Sequence, residues 1–355
     1  MSQNWMRHFE LQILAENGQG ISLSDFKVVF NIAWTDTRWP RVAMVRIYNL
    51  SKDTASRILG QEFAKIKIIA GYDGIAQPVD ASQVSVVKNI NAAEVGQSNG
   101  TNFGEIFSGD IRFTITGRDN PTDTWVLIQA IDGHQAFMNA SVTKTLSAGY
   151  TVADVHAAAM DSFNPYGVTQ GITGDMPATI FPRGRVIYQS SRDIMDNVAA
   201  QCGATWQLVA GQAQMVPTDK YVQNAIVLNS DTGLIGMPQQ TMGGGVNVRC
   251  LINPNIQLKG LVQIDQASVY RASLSADEVK SLPSRAGETN TNGNLSVNGT
   301  LQQPASIAAD GVYIVSAIDY TGDTRGQPWY MDLMCIARGS ADLQSSSAIN
   351  RGVAT

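Results

Sequence analysis

The chain has 355 residues, 44% of them hydrophobic and 15% charged, with a formal net charge of −5. These totals allow two or three domains with real cores and exclude a broad nucleic-acid footprint, since no Lys/Arg-rich run offsets the acidic balance. The charged share is well under the roughly 25% of ordinary soluble proteins. That fits either a surface buried in an assembly, where charge is depleted, or a neutral surface rich in Gln, Asn, Ser and Thr.

The N-terminal stretch "MSQNWMRHFELQIL" lacks the apolar core of a signal peptide. No run reaches the ~18 apolar residues of a membrane span, so folding in a cytoplasm is expected. Period-two alternation then dominates. "FELQILA" and "FKVVFNIAW" alternate, Ile66 and Ile68 oppose Lys65 and Lys67, and Ile111, Phe113 and Ile115 oppose Arg112, Thr114 and Thr116. "TWVLIQAIDG" reads as an apolar strand. One helix interrupts in "NLSKDTASRILG", with Ser51 as N-cap, Ala55, Ile58 and Leu59 on one face and Gly60 as the C′ stop. Residues 1–139 thus read as a β-barrel-like domain, with 75–104 a polar loop or extra hairpin.

The pattern changes at 140. "TVADVHAAAMDSF" places Val152, Val155, Ala159 and Phe163 at helical spacing. "SSRDIMDNVAAQCG" does the same with Ile194, Val198 and Cys202, between a serine cap and Gly203. "ATWQLVAGQAQMVP" is a strand, a tight turn and a strand. Residues 140–225 form a small α+β domain. From 226 the chain returns to β, with "NVRCLINPNIQLKGLVQID" giving two strands around an Asn-Pro turn. A C-terminal β-barrel-like domain therefore covers 226–340. Its insertion at 271–308 is too polar to offset the entropy of ordering and reads as an exposed or partly disordered excursion. A polar tail covers 341–355. The expected class is mainly β (α+β overall): two related β-barrel or sandwich domains flanking a small α+β domain.

Signals for catalysis are poor. The histidines are His8, His134 and His156, and His156 sits in an Ala-rich amphipathic helix where a packed or surface role is favoured over a base. There is no HExxH, GxSxG, P-loop or CxxC. "MGGGV" (242–246) has no strand-to-helix context and reads as a flexible turn. Cys202, Cys250 and Cys335 are odd in number, far apart and apolar in context, so they read as reduced core residues. Asp110, Asp132, Asp193 and Asp319 sit where carboxylates cap turns and helices. No catalytic residue, cofactor or metal ligand is assigned.

An internal likeness is more informative. "GDIRFTITGRDNPTDTW" and "VSAIDYTGDTRGQPW" share a plan: an alternating strand, Thr-Gly, a charged turn, a proline and a tryptophan. Thr116 and Gly117 lead to Trp125, as Thr321 and Gly322 lead to Trp329. The turn and interface candidates are Gly322, Asp323, Thr324, Arg325, Gly326 and Trp329, with Arg118 and Asp119 in the partner hairpin. Arg325 is the interface candidate whose loss should weaken assembly but not folding.

"RVAMVRIYNLSKDTASRI", "IKIIAGYDG" and "IFSGDI" resemble the N-terminal domain of baseplate hub proteins of contractile-tailed bacteriophages (the myovirus tail hub family). "TGLIGMPQQT", "GVNVRCLINPNIQLKGLVQID" and "DGVYIVSAIDYTGDTRGQPWYMDLMC" resemble their C-terminal barrel. The resemblance covers roughly 8–72, 105–135, 185–270 and 310–337 and does not extend to 75–104 or 271–308. It implies a structural virion protein and not an enzyme: a homotrimeric symmetry adaptor in the tail baseplate. Two similar barrels per subunit would form a pseudo-sixfold ring between the sixfold tail tube protein and the threefold central spike protein. Tape measure and baseplate wedge proteins are further partners it implies, with assembly in the host cytoplasm. A lumen without strong positive charge would let DNA pass unbound. The alternatives are a tail-associated peptidoglycan hydrolase, which needs a lytic domain, and the spike or puncturing protein itself, which needs a β-helical repeat.

Overall fold

Side-chain alternation decides which face of each strand is buried. In Val28–Thr35, Val28, Phe30, Ile32 and Trp34 point into the core while Asn31, Ala33 and Thr35 face out. The computed structural model describes residues 6–16, 18–73, 102–218, 221, 225–230, 232–240, 245–264, 287–291, 294–298 and 311–337. The readings for 75–101, for most of 271–308, for the first part of "MGGGV" and for the 341–355 tail lie outside these residues.

Seven strands precede residue 132: β1 (Arg7–Leu14), β2 (Gly20–Ser22), β3 (Val28–Thr35), β4 (Val42–Tyr48), β5 (Lys65–Tyr72), β6 (Asn102–Arg118) and β7 (Thr124–Ile131). Helix α1 (Lys52–Leu59) follows β4, with the Ser51 hydroxyl accepting the Thr54 N–H. Gly60 ends it as the C-cap itself (φ −76°), and the left-handed residue beyond is Gln61 (φ 59°). The middle region comprises α2 (His134–Asn139), β8 (Ser141–Leu146), α3 (Val152–Phe163), β9 (Thr169–Thr173), β10 (Arg185–Ser190), α4 (Ser191–Gln201), β11 (Ala204–Val209) and β12 (Gln212–Pro217). Thr151 and Asp154 form a full capping box on α3, and Ser190 caps α4. Then come β13 (Ile226–Leu228), β14 (Leu234–Gln240), β15 (Gly245–Cys250), β16 (Leu261–Ile264), β17 (Gly287–Thr291), β18 (Asn294–Asn298), β19 (Val312–Asp323) and β20 (Trp329–Ala337).

The chain is mainly β with α+β character. Strands from both ends join one 13-stranded sheet whose main path is β14-β15-β20-β19-β3-β4-β7-β6-β5-β1-β2. β3 and β19 make the junction, with Val29 to Thr35 antiparallel to Asp323 to Ala317. β15 and β16, the two strands around the Asn-Pro turn, do not pair with each other: β15 joins β14 and β20, and β16 joins β13 and β19. β17 and β18 pair only with each other among the described residues.

One apolar cluster lies under the large sheet, built from Leu11, Phe30, Ile66, Phe107, Val248, Tyr313 and Leu333 among others. A second, with Phe137, Phe163, Val198 and Trp206, fills the middle region. Cys250 and Cys335 are buried thiols in the first, and Cys202 packs at the margin of the second. His156 is also buried, on α3, and its Nε2 has no hydrogen-bond partner among the described residues.

Candidate functional site

The turn between β19 and β20 is held from within and from outside. Asp323 Oδ1 accepts the N–H groups of Arg325 (2.9 Å) and Gly326 (2.8 Å), the self-bonding expected of an Asx turn. Thr324 reaches further: its hydroxyl accepts the Val28 N–H (3.0 Å) and donates to the Phe26 carbonyl (3.1 Å). Arg325 donates to the Asp25 carbonyl at 2.9 Å. Arg7 donates to the Gly326 and Gln327 carbonyls at 2.6 and 2.8 Å and lies over the Trp329 ring. Trp329 is buried edge-on against Phe9 and Phe30. Gly322 sits under the Phe30 ring, where a Cβ would collide with it. The candidates from Gly322 to Trp329 therefore lie together and clamp this turn to the Asp25–Val28 segment and to β1.

The β6–β7 turn is built separately. Asp119 accepts the Trp125 indole N–H (2.9 Å) and the Tyr48 hydroxyl (3.1 Å), and Asn120 Oδ1 accepts the Thr122 and Asp123 N–H groups. Arg118 is exposed at the end of β6.

Gly117 stands opposite Trp125, and Gly322 opposite Trp329. Yet these pairs lie on opposite faces: Trp329 is in the core, whereas Trp125 lies outside, between the inward Val126 and the turn. The Thr-Gly-to-Trp correspondence is thus one residue out of structural register. The structural correspondence starts instead from two β-bulges. β6 carries one extra residue at Arg112 and β19 one at Ser316. Counting from them, Trp125 matches Tyr330, and both are outward aromatic rings. Each is covered by a guanidinium from the next strand, Arg46 over Trp125 at 4.6 Å and Arg249 over Tyr330 at 4.1 Å. Arg46 stands opposite Leu127 and Arg249 opposite Asp332, which are matching positions.

The correspondence extends to whole strands. Along the sheet, β6-β7-β4-β3 is followed by β19-β20-β15-β14, each a late hairpin paired to an early one. Before its bulge, β6 pairs with β5, as β19 pairs with β16. Beyond its bulge the same edge of β19 is occupied by β3. The equivalent edge of β6, from Phe113 to Arg118, has no strand partner among the described residues, nor has the outer edge of β14. Both carry outward apolar side chains: Phe113 and Ile115 on β6, Ile235 and Met237 on β14. Short-range sequence patterns could not reveal this, because the two halves share bulges and pairing order more than residue identity.

The middle region attaches at the end of the sheet away from both turns. Asp36 accepts the Thr205 hydroxyl at 2.8 Å and pairs with Lys259 at 2.6 Å, so one carboxylate joins three parts of the chain. Asp132 pairs with Arg41 and accepts the Ala210 N–H at 2.8 Å. It is therefore the centre of a buried ion pair and not a simple cap, and burial pushes its carboxyl above the ordinary range despite the guanidinium. Trp34 donates to Gln207 across the same junction at 2.8 Å. A cavity of about 230 Å³ lies among Trp34, Arg41, Gln207, Lys259 and Tyr320. Of the other carboxylates, Asp110 accepts the Gln135 N–H at the start of α2, and Asp193 bonds the Ser190 cap. Asp319 faces out opposite Asp332, and burial followed by that neighbour raises its pKa. Among the described residues, no three His, Cys, Asp or Glu side chains are grouped to hold a metal.

No family model and no curated protein matches the sequence. Solved structures share the fold, two of them tail proteins matched along nearly their whole length. The 43 kDa tail protein of prophage MuSo2 from Shewanella oneidensis matches with a TM-score of 0.52 at 8% identity, over 94% of this chain and 98% of that one. The tail protein from Neisseria meningitidis MC58 matches with a TM-score of 0.50 at 8% identity, over 93% and 96%. At such identity the likeness is one of fold.

Proposed function

We propose that the chain is a structural segment of a bacteriophage tail, the central baseplate hub, which closes into a threefold ring and adapts a sixfold partner to a threefold one. The observation that carries this reading is the vacancy on β6. Among the described residues, β19 receives β3 on the edge where β6 receives no strand, and β14, the counterpart of β3, has an unpaired outer edge. The β14 of one copy would then add to the β6 of the next as β3 adds to β19 within the chain. Such a head-to-tail contact generates a ring when its rotation closes, and it covers both open edges. Three copies contribute two halves each, so six similar sheet segments surround the axis.

Polarity favours the adaptor role. The β6–β7 and β19–β20 turns lie at one end of the sheet, where a ring would repeat them six times for a tail tube. The middle region lies at the other end, once per copy, as a threefold spike requires. The shared fold with two tail proteins supports a place in the virion tail, built in the host cytoplasm, with tape measure and wedge proteins as further neighbours. No catalysis enters this role.

The test is mass in solution and by imaging of the full chain. A trimer is expected, with interfaces on the order of 2,000 Å² or more. Thr114→Pro should remove an N–H that points to the free edge, since the alternate residues Phe113 and Ile115 bond to β7, and leave monomers, while Arg325→Ala tests whether that guanidinium, exposed at the turn, contributes to docking. A chain that stays monomeric at all concentrations, or a Thr114→Pro protein that still forms trimers, sinks the ring reading.

A further inference from the structure

We propose that the free edge of β10 is a docking strand for an extended segment of a different protein, acidic and apolar at alternate positions. Tyr188 is 82% exposed, Val186 75% and Ile180 67%, the three highest values among the large hydrophobic side chains of the described residues. All fall within one short stretch. Single exposed apolar residues are ordinary; the three most exposed in one stretch beside an unpaired strand are not.

The local structure explains the exposure. Phe181 stacks on Tyr150 with ring centroids 4.7 Å apart, and its backbone bonds to Gly149 and Tyr150, which turns Ile180 outward. β10 pairs with β8 on one side only among the described residues. Ile187 points into the core, so Val186 and Tyr188 point out, opposite Thr145 and Thr143. That outer face carries no charge. Proteins usually blunt a free edge with charge, a proline or a covering element, and this one instead presents two apolar side chains at strand spacing.

The occupant follows from three matching requirements. Unpaired backbone groups along β10 call for an extended main chain, as in β-augmentation. Val186 and Tyr188 call for apolar side chains at alternate cross-strand positions. Arg183 precedes the strand and Arg185 is its first residue, and neither side chain has an ion-pair or hydrogen-bond partner among the described residues. They call for carboxylates. A second copy of β10 would bring only the same arginines to the edge, so a different chain fits better. The assignment does not depend on the ring.

The experiment uses the full chain and two synthetic peptides, one alternating glutamate with valine and one with lysine in place of glutamate. Fluorescence anisotropy should show binding of the first, with the second weaker by about tenfold or more. Tyr188→Thr, at an exposed position, and Arg185→Gln, at a half-buried one, should each weaken the acidic peptide, and amide exchange across 185–190 should slow when it binds. Absent binding, equal binding of the two peptides, or unchanged exchange at 185–190 overturns the proposal. So does self-association of the protein that Tyr188→Thr abolishes, because a second copy would then be the occupant.

Discussion

Replacing Asp132 by asparagine removes the charge from a carboxylate that is 2% exposed while leaving its shape nearly intact. In the native protein its Oδ2 receives the Arg41 Nε–H at 2.9 Å, a second Arg41 N–H at 2.5 Å and the Ala210 N–H at 2.8 Å. The Arg41 side chain is itself 6% exposed, stacks near Trp34 and Phe107, and among the described residues otherwise reaches only the Ile106 carbonyl. Asparagine can still accept one of these hydrogen bonds, but the guanidinium would remain buried without a counter-charge. Breaking a buried pair in this way destabilises by about 3–5 kcal/mol, whereas replacing both partners by apolar groups is often neutral. Asp132→Asn should therefore lower the urea midpoint sharply, and Arg41→Met with Asp132→Leu should recover most of it. Some loss will persist in the double variant, because the Ala210 N–H loses its acceptor. Urea unfolding of the three proteins, followed by circular dichroism and by tryptophan fluorescence, is the assay. A loss below about 1 kcal/mol in Asp132→Asn, or a double variant as unstable as the single one, would refute the reasoning.

Two further substitutions probe the core. Gly322→Ala places a methyl against a Phe30 ring already fixed by Phe9 and Trp329, and should destabilise by about 1–3 kcal/mol through overpacking, measured as a lowered thermal midpoint. His156 is buried and its pKa is held below the ordinary histidine value by loss of solvation. The unfolded chain binds that proton more readily, so stability should be fully present above about pH 6.5 and decline as pH falls from there toward the lower folded value. His156→Leu should flatten the stability profile below about pH 6.5; an unchanged slope would mean another group titrates there.

Much of the secondary structure was legible in the sequence because its causes are local. Alternation in "FKVVFNIAW" and "AKIKIIAGY" marks strands with one buried face, and the serine at 190 with the Ile194–Val198 spacing marks a capped, half-buried helix. The mainly β class follows from these runs and the turn chemistry between them. Asp323 and Gly326 likewise declare a turn by their own bonding. Pairing across long separations is not local. Only the tertiary structure joins β3 to β19, residues nearly three hundred positions apart, and sends β15 and β16 to different neighbours. It also corrects the hairpin likeness. Thr-Gly-to-Trp looks like a repeat along the chain, but a strand changes face with every residue. The pairing therefore set Trp125 outside and Trp329 inside, and the bulges at Arg112 and Ser316 decided the true correspondence. Asp36, Asp132 and the exposed side chains of β10 belong to the same category. A carboxylate's partners, and whether an apolar side chain is covered, depend on what the rest of the chain brings beside it, and periodicity says nothing of that.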